Sequence, residues 1–385
     1  MIPYGLQDIN QNDIDAVVAV LNSDFLTQGP QVPKFEKSVS NYCGSKFSIA
    51  VNSATSALHI ACLALDLSEN DIVWTTPNTF VATANCVLYC GAIVDFVDID
   101  LKTLNISTEK LEEKLIEARR NKKLPKIVIP VHFSGQSCNM KKIHKLSKEF
   151  GFSIIEDASH AIGGKYLNQP IGGCELSDIT VFSFHPVKII TTAEGGIATT
   201  NSKKLANKMR LLRSHGITRE KTSMNNPNIG EWYYEQIELG FNYRMSDLQA
   251  ALGVSQMDRL DEFVTKRNII KDRYDSLLKG LPVSKIFTHT DCYSASHLYP
   301  IQLDLKKILK SHKQVFSELR LNGVGVNLHY IPVHLQPFYE KKGFRAGDFP
   351  NSEKYYNRAI TLPMFFSLTE KQQKKIVKIL KEIIN

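Results

Sequence analysis

Residues 180–200 read Thr180-Val181-Phe182-Ser183-Phe184-His185-Pro186-Val187-Lys188-Ile189-Ile190-Thr191-Thr192-Ala193-Glu194-Gly195-Gly196-Ile197-Ala198-Thr199-Thr200. Two short apolar segments, Ile179–Phe184 and Gly196–Thr200, flank a connection marked by a proline and a glycine pair. Each segment reads as a buried strand. Working outward, the same kind of segment recurs upstream at Phe47–Asn52, Asp71–Thr76, Ala92–Val97, Lys126–Phe133 and Phe152–Asp157. Between these five lie stretches with apolar residues three or four apart, such as Ala54–Leu65 and Ser107–Ala118, with Ser107 placed to cap the latter. Strand–helix–strand alternation with continuously apolar strands predicts an α/β fold, a mainly parallel seven-stranded sheet covered on both faces.

Beyond residue 200 the pattern changes. A helical stretch from about Ser246 to Leu278 reads as a spine between two domains. A strand near Leu298–Leu303, a helix over Lys306–Leu321, a second strand near Gly325–Tyr330 and an amphipathic helix from Thr369 then make a smaller α+β unit. A chain of 385 residues is too long for one core, so a large domain over 1–250 and a small one over 251–385 are expected. The first 30 residues are expected to pack near the small domain.

Composition narrows the functional classes. Seven cysteines, an odd number without a Cys-x-x-Cys pair, fit neither a disulfide framework nor a zinc site and favour a reducing cytoplasm. No run approaches the roughly 18 apolar residues of a membrane span, and the N-terminus lacks the pattern of a secretory leader. The net charge of +8 is spread among acids, as in Glu109-Lys110-Leu111-Glu112-Glu113-Lys114. That marks solvated helix faces rather than a nucleic-acid patch, and it is compatible with a small anionic ligand.

In parallel sheets ligands bind beyond the carboxyl ends of the strands, and three such ends carry chemistry. The first runs into Asn52-Ser53-Ala54-Thr55-Ser56, where hydroxyls and helix-opening N–H groups suit either a phosphate or ordinary capping. The fifth ends in Glu156-Asp157-Ala158-Ser159-His160. A carboxylate there either caps the next helix or meets a cation such as a protonated ring nitrogen. The sixth leads into Lys188, whose amine is aimed at the ligand crevice, where withdrawal from water favours the nucleophilic neutral form.

Taken in order, Asn52–His59, Glu156–His160, Phe182–Lys188 and Glu194-Gly195-Gly196 resemble the motifs of the DegT/DnrJ/EryC1/StrS sugar aminotransferases. The likeness extends from Ile2-Pro3-Tyr4-Gly5 through Gly240-Phe241-Asn242-Tyr243-Arg244-Met245 to His329-Tyr330. It implies the fold type I of pyridoxal-phosphate transferases, like aspartate aminotransferase, and it implies pyridoxal 5'-phosphate as cofactor. By the same resemblance Lys188 is the Schiff-base lysine and proton shuttle, and Asp157 the partner of the ring nitrogen. Thr55, Ser56 and Ser183 are phosphate ligands, Phe80 stacks on the ring, and His160 contacts its 3-oxygen. Asn242 reaches the phosphate of a partner subunit, so a homodimer with shared sites is implied.

Within the family, Thr75-Thr76-Pro77-Asn78-Thr79-Phe80, His185-Pro186-Val187-Lys188 and Tyr234-Glu235-Gln236 are most similar to the transaminases of pseudaminic acid biosynthesis. Their substrates would be a UDP-linked 4-keto-6-deoxy-N-acetylhexosamine and L-glutamate, the latter leaving as 2-oxoglutarate. Ile189 departs from that subgroup's pattern, and another nucleotide-sugar C4 or C3 aminotransferase is the alternative. A cofactor-binding regulator without turnover is opposed by the intact set of Asp157, Ser183 and Lys188. His329 and Tyr330 are expected to face the substrate; Arg213 and His215, with Arg219 nearby, are candidates for its diphosphate. A metal held by His329 and His334 is not expected, because no third ligand is apparent.

Overall fold

A computed structural model describes residues 1–384. The central sheet is built from β1 (Phe47–Val51), β2 (Ile72–Thr75), β3 (Ile93–Phe96), β4 (Ile127–Ile129), β5 (Ser153–Asp157), β6 (Ile179–Ser183) and β7 (Gly196–Thr200). All seven lie within the predicted segments. Their spatial order is β1-β7-β6-β5-β4-β2-β3. Five neighbours run parallel from β6 to β3, while β7 is antiparallel to both β6 and β1. Because β7 runs backward, the connection from Ser183 to Gly196 turns at the same edge where β1 and β5 end. That edge collects Asn52, Asp157, Ser183 and Lys188.

Helices cover the sheet. α1 (Gln11–Leu21), α2 (Gln31–Cys43), α3 (Ala54–Ala64), α4 (Ala82–Tyr89), α5 (Thr108–Arg120), α6 (Met140–Phe150) and α7 (Lys203–Leu212) belong to the first two-thirds of the chain. The alternation that predicts them has a simple cause: apolar strands need both faces covered. One core cluster joins α3, α4 and α7 to the sheet through Leu58, Ile60, Val87 and Met209. The opposite face packs α5 and α6 on Val128 and Ile154 through Leu111, Leu115, Ile143 and Leu146.

The spine is two helices rather than one. α8 (Asp247–Met257) and α9 (Leu260–Leu277) are separated at Asp258 and Arg259. The break falls where the Arg259 guanidinium turns to Asp8 and Asp13, each at 2.8 Å. Ala250, Met257, Leu260, Phe263 and Val264 pack with Phe35 and Phe184. Ile270, Tyr274 and Leu278 instead join Tyr299, Ile301 and Leu380. The hydrophobic allegiance of the chain therefore changes partway along α9.

The smaller sheet orders β8 (Val283–Lys285), β9 (Tyr299–Leu303) and β10 (Ala359–Leu362), all antiparallel. Here two expectations need correcting. Gly325–Tyr330 is not a regular strand: Gly325 donates to Ile2 O at 2.7 Å, so only Asn327 bridges Thr361. The third strand is Ala359–Leu362. The helix expected from Lys306 starts at His312 as α10 (His312–Leu321), set by a capping box of Ser311 and Gln314. α11 (Glu370–Ile384) closes the chain. The N-terminal segment divides: Ile2 and Tyr4 pair with Gly323, Gly325 and Met364 of the small unit, whereas α1 packs on α8.

Candidate active site

Asp157 ends β5 with its main chain fully engaged: its N–H donates to Pro130 O at 2.9 Å and its carbonyl accepts from His132 N at 3.0 Å. The side chain is buried. One carboxylate oxygen accepts from Thr83 Oγ1 at 2.7 Å and the other from Ser159 N at 3.1 Å. Such donors satisfy a carboxylate that would otherwise be costly to bury. The preceding residue, Glu156, points to the opposite face by strand alternation. There it accepts from His132 Nε2 at 2.6 Å and Thr180 Oγ1 at 2.9 Å.

Lys188 and Asp157 share a cavity of about 550 Å³. Its wall includes Ser53, Thr55, Phe80, Ser183, Glu194 and His160 from the large unit, and Asn327, His329 and Tyr330 from the small one. Lys188 is the one lysine in this wall. Burial pushes its ammonium down to about 8, with the Asp157 charge opposing. The surrounding histidines resist a second positive charge. His160 and His297 are held well below the usual histidine range, by burial first and then by the cationic neighbours, and burial brings His329 to about 3.

The tautomer of His160 follows from its partners. Its Nδ1 accepts from Ser134 N at 3.3 Å, so the proton sits on Nε2, which donates to the Tyr330 hydroxyl oxygen at 2.9 Å. The Tyr330 proton is thus free for an acceptor in the cavity. Phe80 packs 6.2 Å from the Tyr330 ring, lines the cavity and is 59% exposed.

At the start of α3, Ser53 caps the helix by accepting from Ser56 N at 3.1 Å. Ala54 and Thr55 open the first turn, where N–H groups have no intrahelical acceptor. β7 comes unusually close: a Cβ on Gly196 would lie 2.4 Å from Ala54 N, so only glycine fits. Ser183 Oγ belongs to the same wall. These hydroxyls and N–H groups together make a cradle suited to an anion.

Not every expected residue joins the cavity. The Ser56 hydroxyl donates to Asn52 Oδ1 at 2.7 Å and lies outside the wall, where Ser53 stands instead. Arg213 does not face the cavity either: its guanidinium pairs with Glu36 and donates to Ala50 O at 2.7 Å, which leaves it tied behind β1. His215 is exposed in a left-handed turn, and Arg219 packs on Tyr234. Asn242 is exposed and bridges Ser214 outside its own chain's cavity. His334 bonds Glu353 at 2.9 Å. A larger groove of about 1200 Å³ follows β3 and α5 but contains none of the predicted residues.

Sequence reasoning passed over Tyr4, Thr83 and His297. The four-residue spacing of Thr79 and Thr83 across a helix start carried a signal for the second. His297 carried none, since a loop docked by its N–H on Ser134 O (2.9 Å) brings it to the wall.

The geometry agrees with comparisons to known proteins. The DegT/DnrJ/EryC1/StrS aminotransferase family matches residues 7–381. The chain belongs to this family. A UDP-4-amino-4,6-dideoxy-N-acetyl-beta-L-altrosamine transaminase of Campylobacter jejuni is 39% identical over 375 residues, 97% of this chain and 95% of the relative. The spore coat polysaccharide biosynthesis protein SpsC of Bacillus subtilis is 38% identical, over 100% of this chain and 97% of its own. Among solved structures, Helicobacter pylori PseC, an aminotransferase involved in the biosynthesis of pseudoaminic acid, superposes with a TM-score of 0.90 at 31% identity, covering 100% and 99% of the two chains. Spr1654 from Streptococcus pneumoniae, solved in a PLP form, superposes with a TM-score of 0.88 at 27% identity over the full length of both chains. The family member described here is therefore an aminotransferase with the α/β fold expected of it.

Proposed function

We propose that this aminotransferase moves the amino group of L-glutamate to C4 of a UDP-linked 4-keto-6-deoxy-N-acetylhexosamine, as in pseudaminic acid biosynthesis. One observation carries the reading: Lys188, Asp157, Ser183 and the α3 N-terminus converge on a single cavity. The cofactor is pyridoxal 5'-phosphate, and the residues present fit it. The anion cradle of Ser53, Thr55 and Ser183 would hold its phosphate, Asp157 its ring nitrogen and Phe80 a ring face. When bound, this cofactor supplies a ring that stores the electron pair released as a Cα–H bond breaks.

The chain's own residues do the rest. The Lys188 amine, neutral in a good fraction near pH 8, accepts the proton from the donor carbon and later returns it to the sugar carbon. Delivery from the one side where Lys188 stands fixes the configuration at that carbon. Asp157 meets positive charge, and its donors keep it in place. His160 and Tyr330 offer an uncharged hydrogen-bonding pair. The small unit covers the cavity with Asn327, His329 and Tyr330 and excludes water from the proton transfers.

The sugar assignment rests on the Campylobacter jejuni relative at 39% identity. The Bacillus subtilis spore coat polysaccharide protein, at 38%, favours a second reading in which another nucleotide sugar is aminated. Either reading takes the enzyme as a homodimer with shared sites; the exposure of Asn242 outside its own chain's cavity supports a role for it at a partner's phosphate. Seven free cysteines suit a cytoplasmic enzyme. The test is to supply the purified protein with glutamate and a panel of nucleotide-linked 4-keto sugars and identify products by mass spectrometry and NMR. Amination of the UDP-linked 4-keto-6-deoxy-N-acetylhexosamine at C4 is expected. Turnover only with sugars on other nucleotides would overturn the substrate assignment.

A further inference from the structure

The Asp157 carboxylate is held by a chain of hydroxyls that begins on a different element. Thr83 Oγ1 lies 2.7 Å from Asp157 Oδ2 and 2.8 Å from Thr79 Oγ1, and both threonines are buried. A hydroxyl has one proton to give. If Thr83 gives its proton to the carboxylate, it must accept from Thr79, so the chain runs Thr79 to Thr83 to Asp157. Ser159 N serves the other oxygen, and the two donors together fix the carboxylate plane. Thr83 also belongs to the first turn of α4, whose preceding loop carries Phe80; its own N–H donates to Phe80 O at 3.2 Å. One short segment thereby ties the ring-covering aromatic to the acid beneath it.

We propose that Thr83 is a positioning residue: supported by Thr79, it orients Asp157 toward the cofactor ring and couples that acid to Phe80. This rests on the pyridoxal-phosphate reading above. It differs from simple helix support, which threonine also provides at a first turn and which would affect stability alone.

The test compares Thr83→Val, which keeps the shape and removes the hydroxyl, with Thr83→Ser, which keeps the hydroxyl, and with Thr79→Val. Each is read by pyridoxal phosphate affinity of the apo protein, by the pH midpoint of the bound cofactor's absorbance, by kcat and KM, and by apo Tm. Thr83→Val should weaken cofactor binding about tenfold, the effect of losing a hydrogen bond to a charged group. It should also move the absorbance midpoint to higher pH, because a less firmly held ring charge repels the proton beside Lys188 less. The kcat should fall while KM for the nucleotide sugar holds. Thr83→Ser should recover most of each, and Thr79→Val should shift each the same way by less. A Thr83→Val protein with wild-type affinity and midpoint, altered only in Tm, overturns the proposal, as does a Thr83→Ser protein that recovers nothing. Should Thr83→Val fail to fold, the Thr83→Ser and Thr79→Val pair decides on the same readouts. Wild-type protein that does not bind pyridoxal phosphate overturns the underlying reading as well, a result distinct from wild-type binding with an indifferent Thr83→Val.

Discussion

The floor and the roof of the cavity are built differently. The floor comes from strand ends: Asp157 on β5, Ser183 on β6, and the turn that presents Lys188. The main chain of Asp157 is locked into the sheet, and the floor carries the site's ionic groups. The roof comes from loops: the His297 main-chain N–H donates to Ser134 O, His329 Nδ1 meets Thr361 Oγ1 at 3.0 Å, and Tyr330 meets His160. Burial keeps its histidines neutral. On the proposed function the floor would set the chemistry and the roof dryness and fit, so changes to the two should differ in size and in kind.

The largest effect belongs to the floor. Lys188→Ala should lower turnover by roughly 10⁴-fold, the full weight of a missing general base, and the variant should yield no borohydride-reducible adduct. A reducible adduct in that variant would transfer the role to another amine. Next in size is the pH response of wild-type protein. Lys188 reacts as the neutral amine and is pushed down to about 8, so capture of the cofactor should speed up about fifty-fold from pH 6 to pH 8 and level off above it. A stopped-flow profile with its midpoint near 10 would show that burial does not tune this lysine.

Tyr330→Phe tests the roof. It deletes the acceptor for His160 Nε2 and the free hydroxyl, and should cost about tenfold in kcat/KM, near the value of one buried hydrogen bond. A loss as large as that of Lys188→Ala would move Tyr330 from fit to chemistry. The smallest effect on rate is expected outside the cavity. Arg213→Ala should leave kcat within about twofold yet lower unfolding stability by roughly 2 kcal/mol, because the half-buried Glu36 loses its cationic partner and keeps only the Ala50 N–H. Urea denaturation beside steady-state kinetics measures both, and a raised KM for the nucleotide sugar would restore Arg213 to the substrate.

The contrast also explains what could be read early. The seven-stranded sheet was legible because each strand is a local apolar run, and the ends of parallel strands are where ligands gather. That rule marked Asp157 and Lys188 as candidates, and the resemblance to the sugar aminotransferase motifs gave them, with Ser183, their expected roles. The segments after residue 245 were less legible. Gly325–Tyr330 looks like a strand, yet Gly325 spends its N–H on Ile2, a residue 323 positions away. The helix from Ser246 looks continuous, but Arg259 is drawn to Asp8 and Asp13.

By itself the sequence determined the alternating architecture and the strand ends on which Asp157, Lys188 and the hydroxyls of Ser53 and Thr55 stand. Both depend on residues near one another in the chain or on strand periodicity. Only the tertiary structure decided that Ser53 rather than Ser56 faces the cavity and that Arg213 is bound to Glu36. It alone brought His297 to the wall of the cavity and put Thr83 against the Asp157 carboxylate. Side-chain partnerships across dozens or hundreds of residues are settled by packing, and packing leaves no periodic trace in the chain.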